Sequence, residues 1–317
     1  MNKLALSLLS LSLIAGCGGE MPIEESSQAV NIGEILPTGK GAGVFNGIAG
    51  PRGDNGVGND AKPNGGAITQ AGINYHGGAV MLGTVTAYII WYGNWTGNTA
   101  TTLLPSFLSN IGGSPYYNIN TSYTNGAGTK LSNSIAYGGS YQYTGTSGYS
   151  TSLSDANIQT VVANTINGGF LPKSTNAIYF VLTSQDVTAS SGFCTQYCGW
   201  HTHATIGGSD IKYSFVGNAA RCLSACAAQT TSPNSNAGAD AMASIIAHEM
   251  EEAHTDPDLN AWYDSRGYEN ADKCAWTFGT QSTAANGSKY NITLGGIQYL
   301  IQQNWLNVSP GSCKMAY

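Results

Sequence analysis

Charge is what this sequence has least of. Only 9% of its 317 residues are charged, against about a quarter in ordinary soluble domains. Lysine and arginine number 12 against 18 acidic residues, for a net charge of -6. So weak a basic complement leaves no electrostatic footprint for a phosphate backbone, and no nucleic-acid partner is expected. Disorder is excluded as well, because 42% of the residues are hydrophobic, whereas disordered chains combine low hydrophobicity with high net charge. Beyond the N-terminal segment no apolar run approaches the ~18 residues of a membrane-spanning helix. The chain also lacks a G-x-S-x-G elbow and a G-x-x-x-x-G-K-[ST] loop, the marks of serine hydrolases and of phosphate-cradling nucleotidases. What it has instead is glycine, 42 residues against 10 prolines, and enough length for one large domain.

The N-terminus reads as an address. Asn2-Lys3 is followed by an almost wholly apolar stretch, Leu4 to Ile14, and then by Ile14-Ala15-Gly16-Cys17. Eleven residues are too few to cross ~30 Å of hydrocarbon. The tetrapeptide resembles the bacterial lipobox, which implies a signal peptide over 1–16 and a lipid attached to Cys17 as the new N-terminus. Gly18, rather than an Asp, follows, which favours an extracytoplasmic location at the outer membrane or cell surface, with the membrane as partner through the lipid on Cys17. Residues 17–72 hold Gly39-Lys40-Gly41-Ala42-Gly43 and Lys62-Pro63-Asn64-Gly65-Gly66 without apolar periodicity, and read as a flexible Gly-rich tether. Residues 73–317 are expected to form a single globular domain.

Setting Cys17 aside, six cysteines remain: Cys194, Cys198, Cys222, Cys226, Cys274 and Cys313. Two C-x3-C pairs also suit a four-thiolate zinc site, but in an oxidising compartment three disulfides are the better expectation. Spacing alone does not choose among about 15 pairings. Strand patterns are expected within Ala79–Tyr92, Ile178–Thr183 and Tyr213–Val216, and helices over Asn98–Ile111, Ser154–Ile166 and Asp240–Ala253, with Asp240 as N-cap. Their alternation predicts an α/β or α+β layered domain around a central mixed sheet, stabilised by disulfides.

Several segments together resemble one family. Tyr75-His76-Gly77-Gly78, Gly83-Thr84-Val85 and Trp91-Tyr92-Gly93-Asn94-Trp95 come first, then Val181-Leu182-Thr183-Ser184-Gln185-Asp186-Val187. Gly192-Phe193-Cys194, Tyr197-Cys198-Gly199-Trp200-His201 and Val216-Gly217-Asn218 with Cys222 and Cys226 follow in order. This series resembles the exordium or phosphate-induced protein family. The resemblance implies an extracellular protein of a kind linked in plants to growth, and it supplies no assigned chemistry.

A chemical signal stands apart in Ala247-His248-Glu249-Met250-Glu251-Glu252-Ala253, on a helix whose apolar stripe is Met242, Ile245, Ile246 and Met250. His248 and Glu252 lie four positions apart and share a face. The pattern resembles the zinc-hydrolase H-E-x-x-H helix, with Glu252 in place of the second histidine. His248 and Glu252 are therefore candidate zinc ligands, Glu249 the candidate general base, and Glu269 or Asp272 the candidate third ligand from a chain return after Thr255-Asp256-Pro257. His254 would project elsewhere on an intact helix. His201-Thr202-His203 is a second candidate pair on a strand, with a structural loop the favoured reading, and His76 reads as a turn residue. The expected function is that of a surface-anchored, zinc-dependent hydrolase with a zincin-like active-site helix, a peptidase in the first place. The alternative is a non-catalytic extracellular interaction or carbohydrate-binding module, since 18 tyrosines and 6 tryptophans are enough to line a polysaccharide groove.

Overall fold

A computed structural model describes residues 72–144 and 148–317. The expected signal peptide of residues 1–16, the lipid-attachment residue Cys17 and all but the last residue of the 17–72 tether lie outside the described residues.

Five strands form the central sheet: β1 (Val85–Tyr92), β2 (Ile135–Tyr143), β3 (Ala177–Thr183), β4 (Gly199–Ile206) and β5 (Ser209–Val216). Their order is β2-β1-β3-β5-β4. The pairings β2–β1, β1–β3 and β3–β5 are parallel and β5–β4 is antiparallel, so the sheet is mixed. Every residue of β3 is buried, the pattern of a parallel strand covered on both faces. Gly207 and Gly208, with φ of 56° and 76°, close the β4–β5 hairpin in a two-residue turn that needs positive φ at both positions.

Edge strand β2 was not expected from its sequence, because Gly138-Gly139 interrupts the alternation of tyrosines. The first glycine is required: a Cβ on Gly138 would sit 2.4 Å from the Tyr88 ring and 2.5 Å from the Thr86 methyl. Contact with β1, not local propensity, makes this segment a strand.

The three longer helices among the described residues are α1 (Ala100–Ile111), α2 (Asp155–Asn167) and α3 (Ala237–Thr255). Helix α1 runs through Pro105, and the carbonyl that loses its partner belongs to Thr101, an exposed residue. Helix α2 starts at a capping box between Ser154 and Asn157. Helix α3 corrects two sequence expectations. Its N-cap is Asn236, whose side chain accepts from the Ala239 amide at 3.0 Å, so the helix starts before Asp240. That carboxylate instead receives hydrogen bonds from the Ser232 hydroxyl and, at 2.6 Å, from Asn234 Nδ2. Nor is the helix amphipathic in outcome, since Gly238 to Thr255 are all buried. Strands β4 and β5 pack on one side of it, and α1, the turn at Tyr117–Ser122 and the C-terminal strand Ile297–Tyr299 pack around the rest.

The six cysteines form three disulfides, Cys194–Cys222, Cys198–Cys226 and Cys274–Cys313. The first two make a ladder that ties the approach to β4 to the segment following β5. The third ties the C-terminal strand Ser312–Lys314 to the turn Asp272–Cys274.

Candidate metal centre

Helical spacing brings His248 and Glu252 together, with Nε2 2.9 Å from Oε1. The chain then turns back in defined steps. Asp256 caps the end of α3, and its Oδ1 accepts from the amides of Asn260 and Ala261, each at 2.6 Å. Asp264 repeats the device by accepting from the amides of Arg266 at 2.9 Å and Tyr268 at 3.0 Å. The returning loop docks on the helix it left. Asn270 Nδ2 donates to the Glu251 carbonyl at 3.1 Å and the Asp272 amide donates to Glu252 Oε1 at 3.0 Å. This places Asp272 Oδ1 3.6 Å from His248 Nε2.

The sequence offered Glu269 or Asp272 as a third ligand, and the return loop brings both side chains close to the histidines. Glu269 meets a residue from the sheet, His201 on β4, whose Nε2 lies 3.2 and 3.3 Å from its two carboxylate oxygens. The same nitrogen is 3.7 Å from Glu252 Oε2. His201, Glu252 and Glu269 can therefore offer ligand atoms within 4.8 Å of one another, and so can His248, Glu252 and Asp272. All five residues are buried.

His201 is the functional candidate that sequence reasoning set aside. A signal was present, for alternate residues of a strand share a face, but His201 and His203 differ in their depth along it. The side chain of His203 is 38% exposed and contacts Asp210 at 2.8 Å and Asp258 at 3.6 Å. There Lys212 Nζ, 2.5 Å from Asp210 and 3.3 Å from Asp258, already supplies the cation. The other histidines are held by aromatic neighbours. His254 Nδ1 bonds the Tyr117 hydroxyl at 2.9 Å, and burial lowers its pKa to about 4. His76 stacks on Tyr263 at 3.7 Å between ring centroids.

The three glutamates of α3 point to three environments. Glu252 enters the cluster. Glu251 accepts from Asn304 Nδ2 at 2.8 Å. Glu249 faces β4, where glycine makes the room: a Cβ on Gly199 would meet Ile245 Cγ2 at 2.5 Å and Glu249 Oε1 at 3.0 Å. Glu249 is 0% exposed, and neither of its oxygens has a hydrogen-bond partner. The same holds for Glu252 Oε2 and for both ring nitrogens of His248, whose close approach to Glu252 lacks hydrogen-bond geometry.

Such burial is unfavourable to charge. Desolvation, reinforced by the Glu252 charge, holds the Glu249 and Glu269 carboxyls well above the usual range. Burial and then the Asp272 charge raise Glu252 to about 7, against the pull of His248. Desolvation takes His201 down to about 3. For His248, burial acts downward, but Glu252 and Asp272 outweigh it and the imidazole is held well above its ordinary value. Lys273, on the return loop, is engaged with Asp264 at 3.4 Å and lies over the Trp305 ring. The arrangement can therefore do one of two things: keep its carboxyls protonated, or take up a cation.

Two disulfides flank the cluster. Cys198–Cys226 lies just ahead of His201 on the chain, and Cys274–Cys313 just beyond Asp272.

Residues 73–315 match the family model described as the phosphate-induced protein 1 conserved region, a span that includes every residue of the cluster. The chain is similar to Protein EXORDIUM-like 3 of Arabidopsis thaliana, with 30% identity over 275 residues, covering 74% of this chain and 81% of the relative. Protein EXORDIUM of the same plant is 27% identical over 234 residues, 63% of this chain and 70% of the relative. Protein PHOSPHATE-INDUCED 1 of Nicotiana tabacum is 25% identical over 219 residues, 60% and 67% of the two chains. No solved structure matches the chain.

Proposed function

The chain belongs to the phosphate-induced protein 1 family, and we propose that this member is a zinc-dependent hydrolase acting on a peptide or related carbonyl compound, held at the outer membrane or cell surface by a lipid on Cys17. Its three disulfides belong to an oxidising, extracytoplasmic compartment. None of the described helices is long and apolar enough to cross a membrane.

The observation that carries the proposal is the buried meeting of two imidazoles and three carboxylates, with Glu252 common to both groups. Nitrogen and oxygen donors of this kind suit zinc, and a dication removes the penalty of burying the carboxylates as anions. Glu249 supports the hydrolytic reading. A site that only staples the fold has no use for one more buried carboxylate without a hydrogen bond, whereas hydrolysis needs a base. Zinc, when bound, supplies Lewis acidity that polarises a carbonyl and acidifies water. His248, Glu252 and the docked return loop hold the donors in fixed register. Glu249 takes the proton as water attacks the carbonyl carbon and passes it to the leaving amine, and its raised proton affinity suits both transfers near neutral pH.

One observation favours a second reading, a non-catalytic interaction or polysaccharide-binding module. His248, Glu249 and Glu252 are each 0% exposed, and closed metal sites are structural while catalytic ones keep an open position. In the same sense, Phe170 is 55% exposed and stacks on Tyr141 at 4.4 Å, a flat aromatic surface of the sort sugars pack against. A zinc-loaded protein assayed on a mixed peptide library separates the two. Turnover that Glu249→Gln abolishes, with zinc retained, supports the hydrolase. Zinc without turnover in the wild type leaves the module, and no zinc at all removes the metal centre.

A further inference from the structure

We propose that the cluster holds two divalent cations bridged by the Glu252 carboxylate, one on His248 and Asp272 and the other on His201 and Glu269. The proposal rests on the metal reading above and adds a second ion to it.

The donors divide by themselves. His248, Glu252 and Asp272 make one close group and His201, Glu252 and Glu269 another, and Glu252 alone belongs to both. Its two oxygens are not interchangeable, since Oε1 lies 2.9 Å from His248 Nε2 and Oε2 lies 3.7 Å from His201 Nε2. A carboxylate has lone pairs on each oxygen and bridges two cations without strain. Each half then has one imidazole, one carboxylate of its own and one oxygen of the bridge.

Burial also favours the uptake of cations. The three carboxylates of the two groups, Glu252, Glu269 and Asp272, are all buried, and the two imidazoles bind a metal only when neutral. The unpartnered atoms fit as well, for His248 Nε2 in one half and Glu252 Oε2 in the other have no hydrogen bond. The third cluster, His203 with Asp210 and Asp258, is no rival for the second ion, since the Lys212 ammonium already forms ion pairs with both of its carboxylates. Paired cations are a recurrent hydrolytic device, in which the attacking and leaving atoms are stabilised at once.

The test is elemental analysis of the disulfide-intact protein after loading with zinc and dialysis. About two ions per chain are expected in the wild type and in His203→Ala, about one in His201→Ala, about one in His248→Ala, and fewer than one in Glu252→Gln. A wild type that holds one ion overturns the second site and leaves the single-zinc proposal standing, whereas none overturns both. Two ions that persist in His201→Ala overturn the assignment. Wild-type protein loaded with Mn2+ gives a reading that no variant needs to survive. An exchange-coupled pair signal in electron paramagnetic resonance supports the bridge, and the spectrum of isolated ions alone contradicts it.

Discussion

Glu252 offers its two carboxylate oxygens to two different histidines, His248 at 2.9 Å and His201 at 3.7 Å. The first partner lies one turn away on the same helix, and the second comes from β4, so this one side chain joins α3 to the sheet. Around it the return loop brings Glu269 and Asp272, and the Glu252 oxygen nearest His248 also accepts the Asp272 amide. Fold and candidate site are therefore the same set of contacts, and perturbing one is expected to perturb the other.

Gly199→Ala tests the space that Glu249 occupies. The added Cβ would lie 2.5 Å from Ile245 Cγ2 and 3.0 Å from Glu249 Oε1, and overpacking of this kind costs about 1–3 kcal/mol. A urea titration is expected to show a lower midpoint with an unchanged slope. An unchanged midpoint contradicts the packing described for α3 on β4.

Stability of the ion-free protein is expected to fall as pH rises from about 6.5 to 8. Glu249, Glu251 and Glu269 are held well above their ordinary values, and Glu252 is raised to about 7, all with burial as the leading cause. His248 is also raised, its carboxylate partners outweighing burial. Groups with a raised folded pKa stabilise below the unfolded value, and that stability is lost as pH climbs through the folded one. His201 and His254, lowered to about 3 and about 4, act oppositely, but only below about 6.5, where the unfolded imidazole gains its proton. Melting temperatures in a chelator should decline across the window, and the margin gained by adding zinc should widen. A rise without metal contradicts the burial of these carboxyls.

Removing the Cys274–Cys313 disulfide with a double serine substitution releases the turn that carries Asp272. A loss of about 2–5 kcal/mol in stability is expected from such a bond, with zinc affinity weakened at least tenfold in a chelator competition. Unaltered affinity means that the turn holds Asp272 without its disulfide.

Metabolic labelling with palmitate is expected to mark the wild type and not Cys17→Ser. Equal labelling of the two removes the lipid anchor and, with it, the membrane as partner.

Legibility in the sequence followed the reach of the contacts. Strand β3 was readable because Ile178-Tyr179-Phe180-Val181-Leu182-Thr183 is apolar without a break and needs no partner to identify it. Helix α3 was readable through its apolar residues and its His-Glu register, but its start was not, because Asn236 and Asp240 are both competent caps and tertiary bonds from Ser232 and Asn234 took the second. Strand β2 was hidden by the glycine that Tyr88 demands. The disulfide pairing was equally hidden, for the ladder of Cys194–Cys222 and Cys198–Cys226 depends on how β4 and β5 fold back on each other. His201 was read first as structural for the same reason: its partners Glu252 and Glu269 are remote in the chain, and only the packing of α3 on the sheet makes them neighbours.

The most direct test of the account is an anomalous difference map at the zinc absorption edge, from crystals grown with zinc. The account predicts strong density inside the buried cluster on both sides of the Glu252 carboxylate, toward His248 and Asp272 and toward His201 and Glu269. A fully occupied zinc found elsewhere with none in the cluster, or no bound zinc at all, contradicts it.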